Sequence, residues 1–149
     1  MSIINTCILI RNCSVKITSE KLNLQDCYDF VQQPTCGGIA LFVGTVRNKT
    51  QNKEVTLLDF STYEAMALKE MEKIGFTALE NFDIEKIAIH HAKGALNIGD
   101  IPVIISVSSA HRKAAFEACQ FAIDTLKDTV PIWKKEHFAD GEVWVNSTP

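Results

Sequence analysis

Arginine is scarce in this 149-residue chain: only Arg11, Arg47 and Arg112 occur among 15 basic residues, set against 18 acidic ones. A net charge of −3 lacks the basic excess of a general nucleic-acid binder, so no nucleic-acid partner is expected. Long apolar runs are missing as well. No stretch approaches the ~20 residues that span a bilayer, and the first residues lack the charged start and apolar core of a secretory leader. A soluble, cytoplasmic protein without membrane contact is expected. Five cysteines (Cys7, Cys13, Cys27, Cys36 and Cys119) form no C-x-x-C and no Cys/His group of zinc spacing, so they read as reduced, mostly buried thiols. Cys36, beside Gly37-Gly38, is the one candidate nucleophile, and its own motif supplies no base. Linkers, repeats and low-complexity stretches are absent too, so residues 1–149 read as one domain.

What is present is a 46% apolar chain, enough to build a core. Ile3–Arg11 and Ser14–Thr18 have strand composition. Asn23 is placed to cap a short helix from Leu24 to about Gln33, stopped by Pro34. Ile39–Val46 reads as a buried strand and Val55–Thr62 as the next, antiparallel to it across the polar loop Asn48–Asn52. Tyr63–Phe82 is a long helix whose Met66, Ala67, Met71, Ile74 and Ala78 make one apolar stripe facing the core. Ile84–His91 and Ile101–Ser108 are strands bracketing Gly94 and Gly99-Asp100. A last helix runs from about His111 to Lys127 and ends before Pro131. Ile132–His137 and Glu142–Val145 then flank the Asp140-Gly141 turn. Hairpins outnumber βαβ crossovers, which predicts an α+β fold: a mostly antiparallel sheet with two or three helices.

Chemistry concentrates at element ends. Ser109 reads as the N-cap of the last helix, with His111 and Arg112 in its first turn. Cations are unfavourable there unless an anion joins them. Arg47 directly follows a buried strand, placed to present its fork to a phosphate or carboxylate. Lys127 flanks the apolar face of its helix, and Lys134 follows just past the Pro131 corner. Two amines converging on one pocket repel, lowering at least one pKa and freeing an amine to act as base or nucleophile. Glu136 is placed to orient an ammonium. Neighbouring His90 and His91 point to opposite faces of their strand, so they do not jointly grip a metal; one packed and one exposed ring are expected.

Gly38-Ile39-Ala40-Leu41-Phe42-Val43-Gly44-Thr45-Val46-Arg47-Asn48, Tyr63-Glu64, Val107-Ser108-Ser109-Ala110-His111-Arg112, and Lys127 with Val130-Pro131-Ile132-Trp133-Lys134-Lys135-Glu136 together resemble the large, catalytic subunit of molybdopterin synthase, the MoaE family. The likeness runs in matching order over residues 37–145. It implies an α/β-hammerhead fold and a homodimer. A small ubiquitin-like sulfur-carrier subunit with a Gly-Gly C-terminus docks at each end, making a heterotetramer. The implied reaction moves sulfur from the carrier's thiocarboxylate to cyclic pyranopterin monophosphate (precursor Z), forming the dithiolene of molybdopterin. It implies Lys127 and Lys134 as catalytic residues, and Arg47, His111 and Arg112 as ligands of the substrate. Glu136 supports Lys134, Phe42 lines the approach, and some of these groups come from the neighbouring subunit. No resident cofactor or metal is implied. The chain departs from the family where a His-Arg pair is common, having His91-Ala92 with Lys93 next, and its tail stops at Asn146-Ser147-Thr148-Pro149. Two rival readings use the same residues: a non-catalytic module that binds an acidic peptide tail, and a cysteine hydrolase built on Cys36 and a histidine.

Overall fold

The computed structural model describes residues 5–146, with side chains over residues 11–141. The expected strand start at Ile3, the burial of Cys7 and the tail beyond Asn146 lie outside this description. In chain order the elements are β1 (Asn5–Ile10), β2 (Cys13–Thr18), α1 (Leu24–Val31), β3 (Gly38–Gly44), β4 (Lys49–Thr50), β5 (Lys53–Thr62), α2 (Glu64–Asn81), β6 (Lys86–Ala92), β7 (Gly94–Leu96), β8 (Val103–Ser109), α3 (Arg112–Thr129), β9 (Ile132–Phe138) and β10 (Gly141–Asn146).

Two sheets carry the strands. The first runs β1-β2-β6-β8-β3, and the second runs β10-β9-β5-β4 with β7 also pairing β5. Every described pairing is antiparallel except β2 with β6. Strands and helices are therefore segregated in the α+β manner.

Residue alternation explains the layering of the first sheet. Val15 and Ile17, Ile87 and Ile89, and Ile105 and Val107 point to one face, where Ala67, Met71, Ile74 and Ala78 of α2 and Ala118, Ala122 and Leu126 of α3 join them in one core. Val55, Leu58, Phe60 and Ile132 bring the second sheet into the same core. Helix α1 covers the opposite face through contacts with β6 and β8. Its start is capped as expected, the Asn23 side-chain Oδ1 accepting from the Asp26 amide at 3.0 Å. Every residue of β8 is buried because both faces of this strand are covered.

Two expected features are corrected. Val55–Thr62 does not pair with Ile39–Val46: β3 lies beside β8 in the first sheet, while β5 pairs with β4, β7 and β9 in the second. The chain leaves β3 because Val46 is held elsewhere, its amide donating to Asp100 and its carbonyl accepting from Gly99, both at 3.0 Å. The hairpin that follows is only β4 and the start of β5, turned by Gln51 and Asn52 at φ +49° and +67°. Ser109 is not the N-cap of α3 either. It is the buried last residue of β8, its hydroxyl donating to the His111 carbonyl, and His111 occupies the cap position.

Gly75 marks the closest approach of α2 to the sheet. A Cβ there would fall inside the van der Waals radius of Cys13 Sγ. Gly75→Ala is expected to cost about 1–3 kcal/mol as an overpacked contact. Adding Cys13→Ala should return part of that loss, both read from urea midpoints at constant slope.

Candidate active site

The cavity that matters lies where the two sheets and the end of α3 meet. It has a volume of about 450 Å³, within the usual size of small-molecule sites. Arg47, Lys127, Lys134, Glu136, His91 and Phe42 are among the residues lining it. Each reaches it for a local reason. Val46 is buried and pinned to the Gly99-Asp100 turn, so the next residue, Arg47, emerges at the cavity mouth. Lys127 sits in the last turn of α3, one position past fully packed Leu126. Lys134 and Glu136 are two apart on β9 and share its inward face.

Three cations, one carboxylate and one imidazole thus share the space, a balance suited to an anion. The Lys127 ammonium feels it most. Its pKa falls below the ordinary lysine value, first because burial disfavours the charge, then because Lys134 and Arg47 repel it; Asp124 pulls the other way. The expected convergence of the two amines is therefore what the fold produces. A merely peptide-binding face with its lysines turned to separate solvent regions is not.

Glu136 is 4% exposed, its Oε2 buried without a hydrogen-bond partner among the described residues. The expected support of Lys134 by Glu136 is not made as an ion pair here; the ion pairs among the described residues are Lys53–Asp140 and Lys93–Glu64. Lys93, standing next to the position where the family's arginine is common, is thus tied to α2 at 2.8 Å.

His111 and Arg112 do not reach the same cavity. They are exposed at the opposite end of α3, and Arg112 lies fifteen residues before Lys127, about 22 Å away at 1.5 Å per residue.

The histidine pair is also corrected. The two rings do face opposite sides of β6, but both are buried, because that strand is covered on both faces. His90 lies between Ser14 (3.0 Å) and Cys27 (3.2 Å) under α1. His91 lines the cavity, a placement that reading the sequence missed. Its signal was there in alternation along β6, since Ile87 and Ile89 share its face.

Burial pushes the thiols of Cys13 and Cys27 up to about 12 and that of Cys119 to about 11. The hydrogen-bonded Cys27–His90 pair is thus an inert core contact. Cys36 is half-buried, and Gly37-Gly38 beside it serve α3 instead: the Gly37 amide donates to the carbonyls of Ser109 and Ala110, and a Cβ there would stand 2.8 Å from the latter. Cys36 makes no hydrogen bond to a histidine among the described residues, so the hydrolase reading finds no nucleophile–base pair in this fold.

A desolvated amine among cations, in a cavity sized for a small anion, defines an enzyme of group transfer. Residues 17–129 match the family model described as MoaE protein. A curated molybdopterin synthase catalytic subunit 1 from Aedes aegypti is 47% identical over 129 residues, covering 86% of this chain and 83% of that protein. The crystal structure of molybdopterin synthase from Staphylococcus aureus superposes with a TM-score of 0.84 at 36% identity, covering 87% of this chain and 95% of that one. A complex of subunits 1 and 2 of molybdopterin-converting factor from Helicobacter pylori superposes at 0.72 with 25% identity, covering 88% and 89%. The chain belongs to the MoaE family, the catalytic subunits of molybdopterin synthase.

The buried histidines carry a pH consequence. Burial first, and Lys16 second, lower His90 to about 4, against Asp26. His91 also falls to about 4 through burial, opposed by its bond to Ala92 and assisted by Lys127. Both titrate near 6.5 when unfolded, so below that pH the unfolded chain takes up protons that the folded one refuses. Stability should be full above pH ~6.5 and drain away toward pH ~4, by on the order of 3 kcal/mol per histidine at most. Urea midpoints measured from pH 7 to pH 4.5 check this, and the slope should lessen in His90→Gln.

Proposed function

We propose that the cavity of Arg47, Lys127, Lys134 and Glu136 is where this chain, a catalytic subunit of molybdopterin synthase, transfers sulfur. The donor is the C-terminal thiocarboxylate of a small sulfur-carrier subunit, and the acceptor is cyclic pyranopterin monophosphate. The lowered pKa of Lys127 inside a cation-lined cavity carries this assignment. Both reactants are anions, and each needs positive charge on arrival. Each transfer forms a carbon–sulfur bond at a side-chain carbon of the pterin as that carbon's C–O bond is lost, and water then cleaves the carrier's acyl carbon–sulfur bond, leaving the carrier with a carboxylate. Protons must move in both halves. An amine whose pKa is lowered by burial and by neighbouring cations gives up its proton more readily than an ordinary lysine. Lys134 and Arg47 hold the developing negative charge, and Phe42 flanks the entrance.

His111 and Arg112 take part from a second copy of the chain. They lie too far along α3 to serve their own cavity, so in a homodimer each grips the substrate bound to its neighbour. With one carrier docked on each copy, the assembly is a heterotetramer. No described helix is long and apolar enough to cross a membrane, and the cytoplasm is the proposed location.

Purified chain given thiocarboxylated carrier and the cyclic pyranopterin should make molybdopterin. Lys127→Ala should reduce product formation at least ~100-fold with an unchanged melting temperature, the scale of a lost acid–base group. Cys36→Ala should retain full activity. Arg47→Ala should act mainly on KM, by about 10-fold or more for a lost charge-assisted contact. Mixing Lys127→Ala with Arg112→Ala subunits should restore about a quarter of native activity, since one site in four then pairs two intact halves. Recovery near zero would place both residues in one copy.

A further inference from the structure

Among the described residues, His91 is a titratable side chain of the cavity to which the sulfur-transfer reading gives no task. It sits on β6 between Ile17 of β2 and Val103 of β8, and only 4% of its surface is exposed. Phe60 meets its ring edge-on, with centroids 5.4 Å apart and planes at 72°. Nδ1 lies 2.7 Å from the Ala92 carbonyl oxygen. A carbonyl can only accept, so Nδ1 carries the proton, and in the neutral ring Nε2 is then a bare acceptor. Both the packing and this bond hold the ring in one orientation.

The ring stays neutral at physiological pH, because burial lowers it to about 4. The Lys127 charge contributes to that lowering, so the two groups lie within electrostatic reach across the cavity they both line. Among the described residues, the other charged groups facing Lys127 include Arg47 from the segment after β3, Lys134 and Glu136 from β9, and Asp124 from its own helix. None of them can do what a neutral imidazole does. Arg47 and Lys134 only donate. A carboxylate binds the ammonium far more strongly than the free amine and so resists deprotonation. An uncharged acceptor can take an N–H from either form.

We propose that His91 is a positioning residue: its Nε2 accepts a hydrogen from the Lys127 amine and turns the nitrogen's lone pair toward the substrate. This rests on Lys127 acting in the transfer. Full activity of Lys127→Ala would remove that foundation whatever His91 does.

Two substitutions in the full chain, assayed with carrier and substrate across pH, separate positioning from core filling. Asparagine places an amide N–H near the Nδ1 position and keeps the Ala92 bond, but leaves nothing at Nε2. Glutamine places an acceptor oxygen near Nε2. His91→Gln should stay within about 3-fold of native kcat, while His91→Asn should lose about 10-fold or more with little change in KM, as expected for a misaligned reacting group. The acid limb of the His91→Asn rate profile should also move to lower pH, because a lost acceptor no longer favours the ammonium. Core filling alone predicts asparagine equal to or better than glutamine, with an unmoved limb, and either result overturns the proposal. If the variants do not fold, imidazole ¹⁵N spectra of the native chain decide. They should show the Nδ1–H tautomer at neutral pH and an Nε2 resonance that shifts in Lys127→Met; an Nε2–H tautomer or an unmoved resonance overturns it.

Discussion

A repulsion between like charges is the interaction on which the rest of this molecule depends. Arg47, Lys127 and Lys134 would separate if the chain were free to let them, since unit charges a few ångströms apart repel by several kcal/mol in a partly dehydrated space. Arginine cannot shed its proton, and burial first, then the Lys134 and Arg47 charges, lower the pKa of Lys127. The cavity is therefore a cluster of like charges that favours an anion.

Holding that arrangement is the work of uncharged parts. Helix α3 lies close on β3 and β8 because its buried face includes three alanines, Ala115, Ala118 and Ala122, with Ile123 and Leu126 completing the contact near its end. The chain then turns at once: Val130 caps the helix through an amide bond to Leu126, and Pro131 leads into β9. Only six residues therefore separate Lys127 from Lys134 in the chain, with no long loop between them. On the other side, β8 cannot give way, since both its faces are occupied.

Local information carried much of this. The α2 stripe stands in the structure except for Met66, which is exposed; the Asn23 cap, the Pro131 corner and the Asp140-Gly141 turn all stand, and each is dictated by residues next to one another. So is the meeting of Lys127 and Lys134, because one short corner joins them. Long-range pairing was less legible. Nothing near Val55 says that its partner is β9, some eighty residues on, instead of β3, because strand pairing is chosen by the whole sheet. Burial of both histidines was hidden for a related reason: alternation tells which way a ring points, not whether a helix or a second sheet will cover that side. Ser109 misled because its hydroxyl suits a cap, while the two residues after it are still extending the strand's exit.

Helix α3 carries His111 and Arg112 at one end and Lys127 at the other, with no glycine or proline between them. It is a ruler as well as a wall. Adding or removing a single residue along it would rotate His111 and Arg112 by about 100° relative to Lys127, besides moving them along the axis. Under the proposed two-copy site, a change of residue along this helix preserves the spacing of its ends, whereas a change of count does not.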